Sequence, residues 1–286
     1  MKIKIKVNNP IISSEMKIRM RSWRSPIALL VYIFILVIFL LIFASMALST
    51  MRYGYSSADY SEVGLVIFYT LSIVQFFIIV LVAPASTAGA ISSEREKQTL
   101  DLLLCTQMSP AKIVIGKLVS SLLWILLMFV ASIPLYSIAF LFGGVNPMAV
   151  VTVMLYYFLV SLTAGSIGLF YSTVFKRTVT SSIMAYLTIF LIFILSLVIG
   201  YAELFFLSQR GVYPDFAKAF YFNPFIAFLG AMSLALQGST GSNIFAVTSY
   251  QLYTLVIVNV IFLFVLSSFS LLTSMKRINP LKGSKR

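Results

Sequence analysis

The 286 residues are 60% apolar and only 10% charged, and 21 lysines and arginines against 8 acids give a net charge of +13. A soluble domain carries roughly 45–50% apolar and about 25% charged residues, so this composition argues against a water-soluble fold. With no histidine and a single cysteine, Cys105, the chain can build neither an intramolecular disulfide, nor a Cys/His catalytic pair, nor the usual zinc sites. Its long apolar runs, separated by short polar stretches, fit helices in lipid better than barrel strands, which need only about 10 alternating residues.

At the N-terminal side, residues 10–25 read as an interfacial helix. Ile12, Met16, Met20 and Trp23 share one stripe, while Lys17, Arg21 and Arg24 gather opposite. The basic face would meet anionic headgroups, Trp23 would sit at the boundary, and Pro26 would mark the bend into the first span. Arg19 lies on the apolar side and must snorkel, and the alternative is that these cations only enforce topology. Ala44-Ser45-Met46-Ala47 imitates a signal-peptide cleavage site, but the apolar run from Ile27 to Leu48 has 22 residues, too long for a signal core.

The sequence predicts an all-α membrane protein with spans near 27–48, 63–83, 118–141, 150–174, 183–202 and 252–272. Of the 21 basic residues, 18 fall before the first span, between spans two and three, between spans four and five, or after the last. Lysine and arginine stay preferentially on the cytoplasmic side, so both termini are expected there and an even number of spans is required. This distribution, at chain ends and in alternate loops, points to a membrane and away from nucleic acid. The expected location is the cytoplasmic membrane of a prokaryote.

Residues 92–112, between spans two and three, are expected to form a polar, structured segment on that basic side. Ser93 and Glu96 are spaced as a capping box, which predicts a helix starting at about Glu94, and Leu100, Leu103 and Leu104 form an apolar stripe. Ser109-Pro110 reads as a second helix start leading into span three. The stretch 203–250 is expected on the opposite side. Within it, Pro224 to Leu236 is an apolar run of 13 residues, too short to span, which suits a re-entrant or interfacial helix; the alternative is a seventh span.

The residues from Ile91 to Leu104, with Ser-Glu-Arg-Glu at 93–96 and a leucine-rich end, followed by Ser109-Pro110 and Ile115-Gly116-Lys117, resemble the permease subunits of type 2 ABC transporters. The order of parts across nearly the whole chain resembles that family too. The family commonly has glycine where Gln98 stands, and an exposed helical position there should accept either residue. The resemblance implies that residues 92–104 form a coupling helix docking on a separate ATP-binding cassette ATPase, with Leu100, Leu103 and Leu104 as anchors and Glu94, Arg95, Glu96 and Lys97 at the rim. It also implies a second permease subunit, identical or related, and export as the direction. The alternative is that this helix packs only on the protein's own spans.

No Gly-x-x-x-x-Gly-Lys-Ser/Thr phosphate loop occurs in the sequence, so the resemblance places ATP and magnesium on the partner and no cofactor on this chain. None of the predicted spans contains an acidic or basic residue, which weakens a secondary, ion-driven carrier as the rival reading. A non-transporting membrane scaffold or sensor is the other rival. Gln75 and Asn259 are the strongest polar side chains near mid-span. Either would touch cargo or, as is commoner for buried amides, hydrogen-bond between helices. Ala164, Gly165 and Gly168 are expected to let helices approach closely.

Overall fold

The computed structural model describes residues 21–52, 60–98, 110–211, 216–240 and 249–278. Among these lie α1 (Arg24–Arg52), α2 (Tyr60–Ala88), the short α3 (Ser92–Glu96), α4 (Pro110–Phe142), α5 (Pro147–Val174), α6 (Thr178–Gln209), a single 3-10 turn (Lys218–Phe222), α7 (Pro224–Thr240) and α8 (Ser249–Ile278). Six of the helices are long and apolar enough to cross a membrane, and each contains one of the spans expected from sequence. At 1.5 Å per residue, even the 28 residues of α5 reach about 42 Å, beyond the roughly 30 Å of hydrocarbon in a bilayer.

The bundle is built around α5, which packs against α2, α4, α6, α7 and α8. Its sequence allows this because small and hydroxyl-bearing residues cover its inner faces, with Ser161, Thr163, Ala164, Gly165, Ser166, Gly168, Ser172 and Thr173 all buried. Most of the hydroxyls there return their proton to a backbone carbonyl, as Ser161 does to Phe158 at 2.8 Å and Ser166 to Thr163 at 2.8 Å. A Cβ on Gly168 would strike the Thr87 hydroxyl and lie 3.2 Å from the backbone of Pro84, so this glycine sets the approach of α2. At the opposite end of α2, a Cβ on Gly64 would run into the carbonyl oxygen of Gly143, where α4 ends in a left-handed turn at Gly143 (φ 84°) and Gly144 (φ 78°).

The peripheral helices present lipid-compatible surface. In α1 only the stripe Tyr32, Leu36 and Leu40 is buried, spaced four residues apart, while Leu30, Phe34 and Leu41 face outward. The break before α1 falls at Ser22 and Trp23 rather than at Pro26. Pro26 sits in the first helical turn, where its missing N–H costs nothing, and Ile27 N–H reaches back to the Trp23 carbonyl at 3.4 Å. Trp23 is 82% exposed and Arg21 is also exposed, Arg24 begins α1, and residues 10–20 of the predicted interfacial helix, including Lys17, lie outside the described residues.

Two of the helices, α5 and α7, start with the same device. Asn146 precedes Pro147 and accepts the Met148 N–H at 3.0 Å; Asn223 precedes Pro224 and accepts the N–H groups of Phe225 at 2.9 Å and Ile226 at 3.1 Å. Asparagine supplies the cap and proline fills the first helical position, where no donor is needed. The cap at Asn223 has a further consequence: its amide also donates to the Phe193 carbonyl at 3.0 Å and to Ser196 Oγ at 2.8 Å, half-way along α6. From there α7 runs back along the first half of α8, with Gly230 against Leu255.

Candidate functional site

The segment between α2 and α4 carries most of the residues singled out from sequence, and the ends of α4, α5 and α6 surround it. The capping box expected from Ser93 and Glu96 does not form. Instead α3 starts at Ser92 with Ile91 at the cap position and no cap from its own side chains. Its first amides are capped from another helix: Ser172 Oγ of α5 accepts the N–H of Ile91 at 2.8 Å and of Ser92 at 2.9 Å. Ser181 of α6 and Ser92 both donate to the Ala88 carbonyl, at 2.8 and 3.0 Å, and so satisfy the end of α2. The local signal is overridden because the tight α5–α6 connection brings better-placed partners to both ends.

Glu96, released from the box, caps a different helix. Its carboxylate accepts the Thr178 N–H at 2.8 Å and the Thr178 hydroxyl at 2.9–3.0 Å, at the first residue of α6. That position places a negative charge at the positive end of the helix dipole. The Thr178 amide and hydroxyl, with a smaller contribution from Arg177, hold the Glu96 carboxyl below its usual range. Glu94 turns the other way and pairs with Lys117 of α4 at 2.7 Å. Lys117 is 4% exposed although it stands eight residues into a long apolar helix, so Glu94 neutralises a cation that the packing removes from water.

Arg95 is half-buried, and that burial, followed by the nearby charge of Arg277 at the end of α8, lowers its pKa. Lys97, Lys176, Arg177, Lys276 and Arg277 are exposed around it, so this end of the bundle is a basic surface. Gln98 is exposed, as expected, but it is not helical. It ends α3 with φ 56°, a left-handed conformation in which glycine carries no Cβ penalty, and this gives the glycine expected from family resemblance a physical reason. Leu100, Leu103 and Leu104 lie outside the described residues.

Gln75 and Asn259 are fully buried, and both amides bridge helices. Gln75 of α2 accepts from the Tyr136 hydroxyl at 2.8 Å and donates to Ser132 at 3.2 Å, both on α4. Tyr157 of α5 adds a bond to the Ser72 carbonyl at 2.7 Å, so one polar patch joins three helices. Asn259 of α8 donates to the Tyr221 carbonyl at 3.0 Å, and its oxygen lies 2.9 Å from the Tyr156 hydroxyl, which is also 2.8 Å from the Pro224 carbonyl. Between the two patches, Phe228 stacks on Phe76 at 4.7 Å and on Tyr157 at 5.5 Å.

Sequence reasoning missed Ser172, Thr178 and Asn223. Asn223 was findable, since Asn-Pro before an apolar run repeats the signature at 146–147. Thr178 and Ser172 were not, because their partners are 80 or more residues away. Among the described residues no group of three or more histidine, cysteine, aspartate or glutamate side chains is placed to hold a metal ion.

Six hydrophobic helices, the hydroxyl-lined α5 central among them, with a charged clasp at one end, define a multi-pass α-helical membrane protein. Residues 50–276 match the family model described as "ABC-2 family transporter protein", and the chain, matched over more than three quarters of its length, belongs to that family. It is thus a transport permease and not an enzyme. A comparison with curated proteins finds no match.

Proposed function

We propose that the chain is the membrane subunit of an exporter whose energy comes from a separate ATPase docked over residues 92–104. The observation that carries this reading is the clasp: α3 is held by Lys117 of α4, Ser172 of α5 and Thr178 of α6, so force applied at this short helix reaches three transmembrane helices at once. Glu94 and Glu96 serve those intrachain contacts, which leaves exposed Lys97 and the leucine-rich residues that follow for a partner. ATP and magnesium belong on that partner, and a second permease subunit, identical or related, completes the path.

The basic surface around α3 is the cytoplasmic side in this reading, with both termini there. In this reading α7, whose cap Asn223 is tied half-way along α6 and which then runs back beside α8, is a re-entrant helix. Its 17 residues extend about 25 Å, short of a bilayer. The test is the double substitution Leu103→Glu and Leu104→Glu. It should reduce recovery of the ATPase with the tagged permease at least ten-fold while the permease remains inserted; undiminished recovery would contradict docking at this segment.

A further inference from the structure

The helix α6 is held by polar contacts near its start and again from its midpoint onward, with one bond between them, from the Thr188 hydroxyl to Tyr171 of α5 at 2.7 Å. At its first residue the Glu96 carboxylate grips Thr178, and Ser181 and Tyr186 donate to the carbonyls of Ala88 and Leu81 in α2 at 2.8 and 2.7 Å. About 22 Å further along the helix, Phe193 and Ser196 receive the Asn223 amide, and Glu203 accepts the Ala219 N–H at 3.3 Å. Phe220 fills the notch at Gly200, where a Cβ would meet its ring.

Three properties suit this helix to carry displacement between those places. Its buried positions are Ser181, Ala185, Ile189, Ser196 and Gly200, almost all small, and apart from Ile189 the large side chains it packs on the core, Ile192, Phe193, Leu197 and Leu204, lie around and beyond the Asn223 contact. Phe190, Leu191, Leu195 and Val198 face outward, where lipid yields to movement. It also has no internal proline, whereas α2 and α4 are interrupted by Pro84 and Pro134, each removing a backbone donor and giving the helix a place to bend.

We propose that α6 is a stiff rod linking the α3 segment to the turn before α7, with Glu96 as the positioning residue at one end and Asn223 at the other. The drive on α3 comes from the docking reading above, but the linkage along α6 does not depend on it. When Glu96 shifts, the rod shifts, and the Asn223 cap carries the movement into the start of α7 and the aromatic stack on Phe228.

Thr178→Pro is the discriminating variant. Thr178 is the first helical residue and Arg177 before it is already extended (φ −100°, ψ 134°), so proline fits the backbone while removing both donors to Glu96. Hydrogen exchange of the full-length chain in nanodiscs, without nucleotide, reads the amides of residues 219–227. Thr178→Pro and Glu96→Ala should each raise exchange there at least three-fold, the double variant should do no more than either alone, and Thr178→Ser should match the unsubstituted chain. Exchange in residues 60–70 should not change.

Unchanged exchange at 219–227 in Thr178→Pro, or an equal rise at 60–70, overturns the rod. A second comparison adds ATP and vanadate to the permease with its co-purified ATPase. The nucleotide-induced change at 219–227 should disappear in Thr178→Pro, and its persistence also overturns the rod. If no ATPase co-purifies, docking fails, and the nucleotide-free comparison still decides the rod.

Discussion

Gln98 shows how much one backbone angle decides. Its φ of 56° places a side chain where L-residues pay a steric cost of roughly 1–2 kcal/mol, at the point where the chain leaves α3 for the leucine-rich stretch. Gln98→Gly should therefore firm the end of α3. The measurement is slower amide exchange at Lys97 and residue 98, whose N–H groups bond to the carbonyls of Ser93 and Arg95 at 3.1 Å. Faster exchange in Gln98→Gly would show that the left-handed turn is not limiting there, and Gln98→Val should exchange faster than either. The buried amides Gln75 and Asn259 were visible in the sequence as polar residues in apolar runs. Their partners were not, because Tyr136, Ser132, Tyr156 and Tyr221 belong to other segments and no local pattern joins them. For the same reason the Ser93–Glu96 box was a sound local reading that lost to Thr178, 82 residues away.

Among the helices, legibility tracked how much each feature depended on its own segment. The six spans followed from apolar length, and the start of α4 from serine before proline, since such signals are local. The attachment of α7 to the middle of α6 depends on Asn223 reaching Phe193 and Ser196, which the short apolar run alone does not encode. The small residues of α5 lie between these cases. Ala164, Gly165 and Gly168 announce close packing, and the structure supplies the neighbour, Pro84 and Thr87 of α2. Gly168→Leu should thus force α2 and α5 apart, costing about 1–3 kcal/mol and lowering the thermal unfolding midpoint in detergent. Gly165→Ala should leave the midpoint close to that of the unsubstituted chain, because the nearest atom to its new Cβ is the Thr87 methyl at 3.5 Å. Equal effects at the two positions would contradict the assignment of Gly168 as the contact.

For the molecule as a whole, the distribution of charge and the pattern of packing describe the same device. Acids and bases concentrate at the α3 end, where Glu94 and Glu96 tie α3 to α4 and α6, while the interior is held by uncharged amides, hydroxyls and stacked rings. Such an interior avoids the cost of charge in hydrocarbon, and in the proposed function the polar clasp is where an external motor would gain purchase. Family membership makes the chain a permease, and the clasp supplies the argument for where its motor sits. The most direct test is purification of the tagged, full-length chain in mild detergent, with mass spectrometry of what accompanies it and an ATP hydrolysis assay. The account predicts a phosphate-loop ATPase in stoichiometric amount, with hydrolysis that tracks it. Intact, folded permease that repeatedly arrives without an ATPase would contradict the account.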